Sequence, residues 1–329
     1  MSDILLETKD LRVNFKSEYG VSRAVDGVDF QVERGKVLGI VGESGSGKSV
    51  TSLSVMGLVP KPNGYIAGGQ ILFHGEDLLR KSEADLRRIR GNKIAMIFQE
   101  PMSSLNPVFK IGNQLGEALK LHQNITGREN RERCIEMLEL VRVADPRKLM
   151  DRYPHELSGG MRQRVMIAMA VLCNPELMIA DEPTTALDVT IQAQILALLR
   201  ELQQQRQMSI MFITHDLGVI SEIADRVIVM YAGRVVEEAD VRVLLDTPLH
   251  PYTQGLLAAI PENYVPERGF YAIPGTGGDP RDCGAGCPFA PRCEHACDRC
   301  RSEVPQLAEA EAGHKVSCFL YGKDGDPNG

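Results

Sequence analysis

Gly42-Glu43-Ser44-Gly45-Ser46-Gly47-Lys48-Ser49 follows the short apolar run Val37-Leu38-Gly39-Ile40-Val41 and precedes a helical pattern from Ser49 to Leu58. The spacing is G-x-x-x-x-G-K-[ST], that of a phosphate-binding loop between a strand and a helix. Glycines let successive backbone amides turn toward one anion, and the helix N-terminus adds its positive dipole end. In that setting Gly42, Ser44, Gly45, Ser46 and Gly47 cradle the phosphates of a nucleotide, Lys48 meets the outer ones, and Ser49 binds Mg²⁺.

The segments on either side predict the fold around this loop. From Leu5 to Phe30 apolar residues alternate with polar ones (Leu11, Val13, Phe15; then Val25, Val28, Phe30), which predicts antiparallel strands, and Ile71-Leu72-Phe73 adds another. Ile94 to Phe98 reads as a buried strand. Helical periodicity in Leu115, Leu119, Ile135, Met137, Leu138 and Leu140 then predicts a helical subdomain over about 100–160. A helix over 161–173 follows a Ser-Gly-Gly start, and Leu177–Ala180 and Ile210–Ile213 read as fully buried strands flanking a helix that begins near Asp188. The fold class is therefore α/β, with a parallel P-loop NTPase core, an antiparallel β subdomain and a helical subdomain. Past Tyr252 the character changes. From Pro261 to Gly329 the chain is rich in Pro, Gly and Cys with little periodicity, and is expected to be a separate appendage ordered by something other than a large apolar core. The expected division is a nucleotide-binding domain over 1–255 and a cysteine-rich extension over 256–329.

Composition bounds the function classes. The 329 residues suffice for one large domain or two smaller ones, and 43% hydrophobic with 25% charged residues is ordinary globular usage. A net charge of -7 argues against nonspecific binding of nucleic acid. The first residues have neither a basic n-region nor a long apolar h-region, and no stretch is apolar enough to span a bilayer. The expectation is a cytoplasmic protein that reaches a membrane only through partners.

A P-loop needs a carboxylate to help hold Mg²⁺, and Asp181 directly follows the apolar run Leu177-Met178-Ile179-Ala180, the Walker B position. Glu182 comes next and is placed to polarise a water for attack on the γ-phosphate. Leu157-Ser158-Gly159-Gly160-Met161 is a second glycine-rich turn opening a helix. It reads either as another anion site or as a plain N-cap by Ser158.

Across roughly residues 5–240 the ordered set resembles the nucleotide-binding subunit of an ABC transporter. Gln99 in Ile97-Phe98-Gln99-Glu100 matches the Q-loop, Leu157 to Met161 the signature motif, Ala186-Leu187-Asp188 the D-loop, and His215 in Ile213-Thr214-His215-Asp216 the switch histidine. The resemblance implies that ATP is sandwiched between the P-loop of one subunit and Ser158, Gly159 and Gly160 of another, so that single copies of each motif imply a dimer. It also implies that Gln99 senses Mg²⁺ and the attacking water at the contact with membrane subunits, that His215 contacts the γ-phosphate, and that Phe15 stacks on adenine, with Tyr19 as its rival.

Within that family, Gln99 to Pro107, the P-loop and His250-Pro251-Tyr252-Thr253 look like the ATPases of dipeptide/oligopeptide importers. The implied partners are a second ATPase chain, paralogous or identical, two transmembrane permease subunits and an extracytoplasmic solute-binding protein. Importer ATPases for nickel or another small solute are closely similar, and soluble ABC ATPases form the rival class. The eight cysteines carry the resemblance further. Cys134 and Cys173 lie in helical patterns as small buried residues, whereas Cys287, Cys293, Cys300 and Cys318 are similar in spacing to members whose tail holds a [4Fe–4S] cluster. Cys283 and Cys297 exceed that pattern, and the C-x-x-C of Cys297 and Cys300 also suits zinc. The tail lies outside every nucleotide motif.

Overall fold

A computed structural model of the chain describes residues 3–18, 20–99, 104–185, 187–260, 271–277 and 284–321. Along it run β1 (Ile4–Ser17), β2 (Gly20–Glu33), β3 (Val37–Val41), α1 (Lys48–Val55), β4 (Gly64–Phe73), β5 (Glu76–Asp77), α2 (Glu83–Ile89) and β6 (Ile94–Ile97). Next come α3 (Ile111–Gln123), α4 (Gly127–Leu140), α5 (Pro146–Leu149), α6 (Gly159–Val171), β7 (Leu177–Asp181), α7 (Val189–Arg206), β8 (Ser209–Thr214) and α8 (Leu217–Ile223). The C-terminal part adds β9 (Arg226–Tyr231), β10 (Arg234–Asp240), α9 (Val241–Asp246), α10 (Pro251–Ala258), α11 (Asp298–Ser302), β11 (Ala308–Glu311) and β12 (His314–Val316).

These elements fall into two compact units. The first comprises Met1–Val32, Val37–Leu79 and Phe212–Gly329. Its antiparallel sheet has the order β2-β1-β4-β5, and β1 pairs with β4 from Leu6↔Phe73 to Phe15↔Gly64. The alternation read in β1 has its physical cause here, since Leu11 and Val13 are fully buried while Arg12 between them is exposed. A second sheet of this unit contains β11-β12-β10-β9-β3 in order. β3 pairs with β9 in parallel, Leu38↔Arg226 to Val41↔Val229, and every residue of β3 is buried, as expected of a parallel strand covered on both faces.

The second unit comprises Glu33–Lys36 and Arg80–Met211. β6 and β7 pair in parallel there, Ile94↔Leu177 to Ile97↔Ala180. The helices α3, α4 and α5 occupy the stretch read as helical, with Ile111, Leu115 and Leu119 buried on α3 and Cys134, Ile135 and Leu138 on α4. α3 ends at Asn124, whose left-handed φ of 56° suits a residue that tolerates this conformation.

Two expectations change. The signature helix spans Gly159–Val171 instead of 161–173, because the Ser158 side chain caps it and both glycines enter its first turn. More consequentially, the described part of the tail is not a separate appendage. β12 pairs antiparallel with β10 at Glu237↔Val316 and Glu238↔Lys315, and β11 pairs with β12. Its anchor is polar, which is why hydrophobic periodicity missed it: His314 and Glu237 are both fully buried, with Nε2 2.7 Å from Oε1. The Glu237 carboxylate also accepts from the backbone amides of Leu249 and His250 at 2.7 and 3.0 Å. A buried carboxylate is tolerated when its lone pairs are met in this way.

Candidate functional site

In the first unit, β3 delivers the chain into the loop read as phosphate-binding. Gly42 lies at φ 156°, and a Cβ there would meet the Met230 carbonyl at 2.2 Å; Gly47 lies at φ 99°, where a Cβ would meet the Ala24 carbonyl at 2.4 Å. Both positions need glycine on space, and Gly47 on backbone conformation as well. Ser44 and Gly45 at the tip are exposed, Ser46 and Lys48 are buried, and Ser49 is half-buried in the first turn of α1. Lys48 Nζ donates to the carbonyls of Gly42 at 2.7 Å and Glu43 at 2.8 Å, with Ser46 Oγ at 3.4 Å. An ammonium nearly removed from water is thus held at the loop by backbone acceptors, ready to be shared with an anion.

His215 is also in this unit, exposed at the turn between β8 and α8. Asp216 beside it caps α8, accepting from Gly218 N at 2.8 Å and Val219 N at 3.3 Å, and so fixes the turn that carries the imidazole. Phe15 is half-buried near the end of β1, opposite Gly64, where a Cβ on the glycine would meet Phe15 Cε1 at 2.8 Å. Its ring therefore packs against the backbone of β4. Tyr19 lies outside the described residues.

In the second unit, β7 carries Asp181, only 3% exposed, at its last position. Glu182 follows with φ 47°, a left-handed conformation rare for a residue with a side chain. Such backbone cost is tolerated where the surroundings dictate it, commonly at functional sites. One oxygen of Glu182, Oε2, accepts from Gln99 Nε2 at 3.1 Å and from Thr185 Oγ1 at 2.9 Å. The structure thus brings together Gln99 and Glu182, 83 positions apart in sequence. Ser158 Oγ accepts from Met161 N at 3.3 Å at the start of α6, and Gly160 lies close under Ile191, where a Cβ would be 3.2 Å from Cγ2. Asp188 caps α7 through Ile191 N at 2.9 Å. Ala186 and residues 100–103 lie outside the described residues.

The cysteine-rich segment belongs to the first unit. Among the described residues no group of three or more His, Cys, Asp or Glu side chains is gathered closely enough to hold a single metal ion. Cys287, Cys293, Cys300 and Cys318 nonetheless share one neighbourhood. Burial pushes the Cys318 thiol up to about 12, and Cys287, Cys293 and Cys300 each add to that rise. Burial likewise raises Cys287 and Cys293. Cys297 Sγ is 3.5 Å from Cys300 Sγ, and hydrogen bonding from the backbone and side chain of Cys300 lowers the Cys297 thiol. Thiolates are the ligand type of iron clusters and of zinc alike, but among the described residues they are not gathered closely enough to hold a metal ion of either kind. Cys283 lies outside them.

The described tail, though outside every nucleotide motif in sequence, reaches the loop itself. Arg292, one residue before Cys293, donates from Nη1 and Nη2 to the two carboxylate oxygens of Glu43 at 2.7 and 3.1 Å. Tyr252 Oη accepts from the Glu43 amide at 2.8 Å. Sequence reading singled out the tetrapeptide that holds Tyr252, but Arg292 carries no local signal and is found only by folding the chain.

Comparison with known proteins follows the same lines. Residues 25–185 match the family model described as ABC transporter, and residues 236–300 match the oligopeptide/dipeptide transporter C-terminal region. The chain is 51% identical to a probable peptide ABC transporter ATP-binding protein of Sinorhizobium fredii, covering 97% of this chain and 95% of that one. It is 52% identical to the oligopeptide transport ATP-binding protein AppD of Bacillus subtilis, covering 98% of each. Identity to the dipeptide transport ATP-binding protein DppD of Escherichia coli is 50%, over 95% of this chain and 96% of the other. A solved dimeric ATP-binding cassette in a post-hydrolysis state, bound to ADP and phosphate, superposes with a TM-score of 0.64 at 28% identity, covering 72% of this chain and 99% of that one.

Proposed function

Since this chain belongs to the ABC transporter family, as an ATP-binding protein with an oligopeptide/dipeptide-transporter C-terminal region, we propose that it is the ATP-hydrolysing subunit that powers import of di- and oligopeptides. The observation that carries this reading is near-full-length identity of about one half to ATP-binding proteins of peptide transporters, in a chain whose P-loop and C-terminal region are both present.

The roles follow from the chemistry of each group. The loop amides from Gly42 to Gly47 and Lys48 bind the phosphates of ATP, and Ser49, Gln99 and Asp181 hold Mg²⁺. Bound there, Mg²⁺ would supply positive charge against that developing on the transferred phosphoryl group. Glu182 accepts a proton from the attacking water, Gln99 orients it, and His215 meets the γ-phosphate. The bond from Gln99 to Glu182 supports a shared task for the two side chains, since an amide N–H holds the carboxylate oxygen in a fixed direction. Phe15 stacks on adenine. Ser158, Gly159 and Gly160 act on the ATP of a partner ATPase subunit, so that closure of the pair upon ATP drives transport.

The working assembly is this chain with a second ATPase chain, paralogous or identical, two permease subunits and an extracytoplasmic solute-binding protein. It is peripheral to the cytoplasmic face of the membrane, consistent with no helix among the described residues being long and apolar enough to cross it. The nucleotide-binding domain is assigned to 1–255 with its helical subdomain at about 100–160, and the extension to 256–329. Cys287, Cys293, Cys300 and Cys318 would hold a [4Fe–4S] cluster stapling the loops around them, with zinc at Cys297 and Cys300 as the alternative.

The test is steady-state ATP hydrolysis by the assembled transporter carrying Glu182→Gln. Shape is preserved and the proton acceptor is lost, so turnover falls by a factor of roughly 10²–10⁴ while Mg-ATP still binds. Turnover near that of the unsubstituted protein would remove Glu182 from catalysis.

A further inference from the structure

A loop that binds polyphosphate is an unfavourable place for a carboxylate, because the anion it receives repels one that is not neutralised. Glu43 stands inside the phosphate-binding motif and is only half-buried, its side chain 31% exposed. Its neutralisation comes from far along the chain. The Arg292 side chain is 7% exposed, and its guanidinium engages Glu43 fork to fork, the arrangement that fixes direction as well as charge. Arg292 is itself held in place, donating from Nε to the Pro274 carbonyl at 2.8 Å and lying over the rings of Tyr231 and Phe289. Glu43 is tied at three points: its carboxylate to Arg292, its amide to Tyr252 Oη, and its carbonyl to Lys48 Nζ. The last tie matters most, since Lys48 is the side chain that meets the phosphates.

We propose that Arg292 is a positioning residue for nucleotide binding: it neutralises and fixes Glu43, through which the cysteine-bearing segment sets the affinity of the P-loop for ATP. The segment 284–321 is then part of the nucleotide-binding machinery, acting through the loop without touching the nucleotide. This rests on the reading of residues 42–49 as the ATP site.

The experiment is titration of Mg-ATP into the purified full-length chain and four variants, with thermal midpoints measured in parallel. Arg292→Gln leaves the Glu43 carboxylate within the phosphate-binding loop without its guanidinium partner, and the Kd for ATP rises roughly tenfold. Adding Glu43→Gln to that variant removes the liability and returns Kd to within about threefold of the unsubstituted chain. A structural role for Arg292 alone would not be relieved by deleting its partner. Arg292→Lys keeps the charge and loses the fork, so its Kd falls between the two. The proposal is overturned if Arg292→Gln lowers the thermal midpoint but leaves Kd unchanged, or if the loss of affinity persists in the double variant. Lys48→Ala separates the two levels: ATP binding as tight in that variant as in the unsubstituted chain would refute the P-loop reading itself, whereas binding that depends on Lys48 but not on Arg292 would refute only the coupling.

Discussion

His250 shows how much a single side chain can be asked to do outside the chemistry. It is buried, its amide is held by the Glu237 carboxylate, and its Nδ1 accepts from the Tyr252 amide at the start of α10. Burial holds its imidazole neutral, with the pKa lowered to about 3 from an ordinary 6.5. The unfolded chain therefore takes up a proton below about pH 6.5 that the folded chain refuses. Stability is complete above that pH and declines as the pH falls toward 3, with a slope of at most about 1.4 kcal/mol per pH unit from this group. In His250→Asn the side-chain oxygen still caps the helix but has no proton to gain. Urea unfolding at pH 7 and at pH 5 should thus give a smaller loss for the variant than for the natural chain. An equal loss in both would mean that other groups carry the acid sensitivity. Residues of this kind are hard to read in advance: the tetrapeptide 250–253 is a recognisable motif, yet nothing local says that His250 is fully enclosed or that Tyr252 reaches Glu43.

At the scale of elements, the two glycine-rich helix starts are built alike and are predicted to fail differently. The loop before α1 offers a buried ammonium and glycines that tolerate no side chain. α6 begins with a serine cap and two glycines, and carries no acidic residue in its first turn. Lys48→Ala removes a charge-assisted contact to phosphate, so ATP binding weakens about 10- to 100-fold. Ser158→Arg leaves binding at the P-loop intact and blocks closure upon the partner's ATP, so hydrolysis is lost without loss of affinity. Equilibrium binding and turnover measured on both variants in the assembled transporter separate the cases, and normal hydrolysis with Ser158→Arg in both ATPase positions would refute the shared site. The strands and helices behind these motifs were legible because burial on both faces writes apolar runs such as those of β3, β7 and β8 into the sequence. β9, β10 and the tail strands were harder. β11 and β12 are short and held to β10 by ion pairs such as Lys315–Glu238 and by the buried His314–Glu237 contact, and such partners have no spacing rule.

At the scale of the whole molecule, chemistry and support are distributed along the entire chain. The nucleotide motifs lie in the first two thirds, while Arg292 and His314 hold Glu43 of the P-loop and Glu237 of β10 from the last fifth. That is why a reading by motif finds the P-loop and the cysteine spacing but not the tail's contact with Glu43. The metal proposal is tested on the intact chain: anaerobic purification should yield iron and acid-labile sulfide in a ratio of about 4:4 per chain. Serine at Cys287, Cys293, Cys300 or Cys318 should abolish them, and a colourless protein with stoichiometric zinc would contradict the cluster.

The central claim is that hydrolysis by this chain drives peptide import. Its most direct test is uptake of a labelled dipeptide or oligopeptide by proteoliposomes containing the complete transporter, with the solute-binding protein on one side and ATP supplied on the other. The account predicts accumulation that requires ATP and falls to background with Glu182→Gln in this chain. Peptide accumulation that proceeds unchanged with the substituted chain, or a transporter that hydrolyses ATP yet moves no peptide, would contradict it.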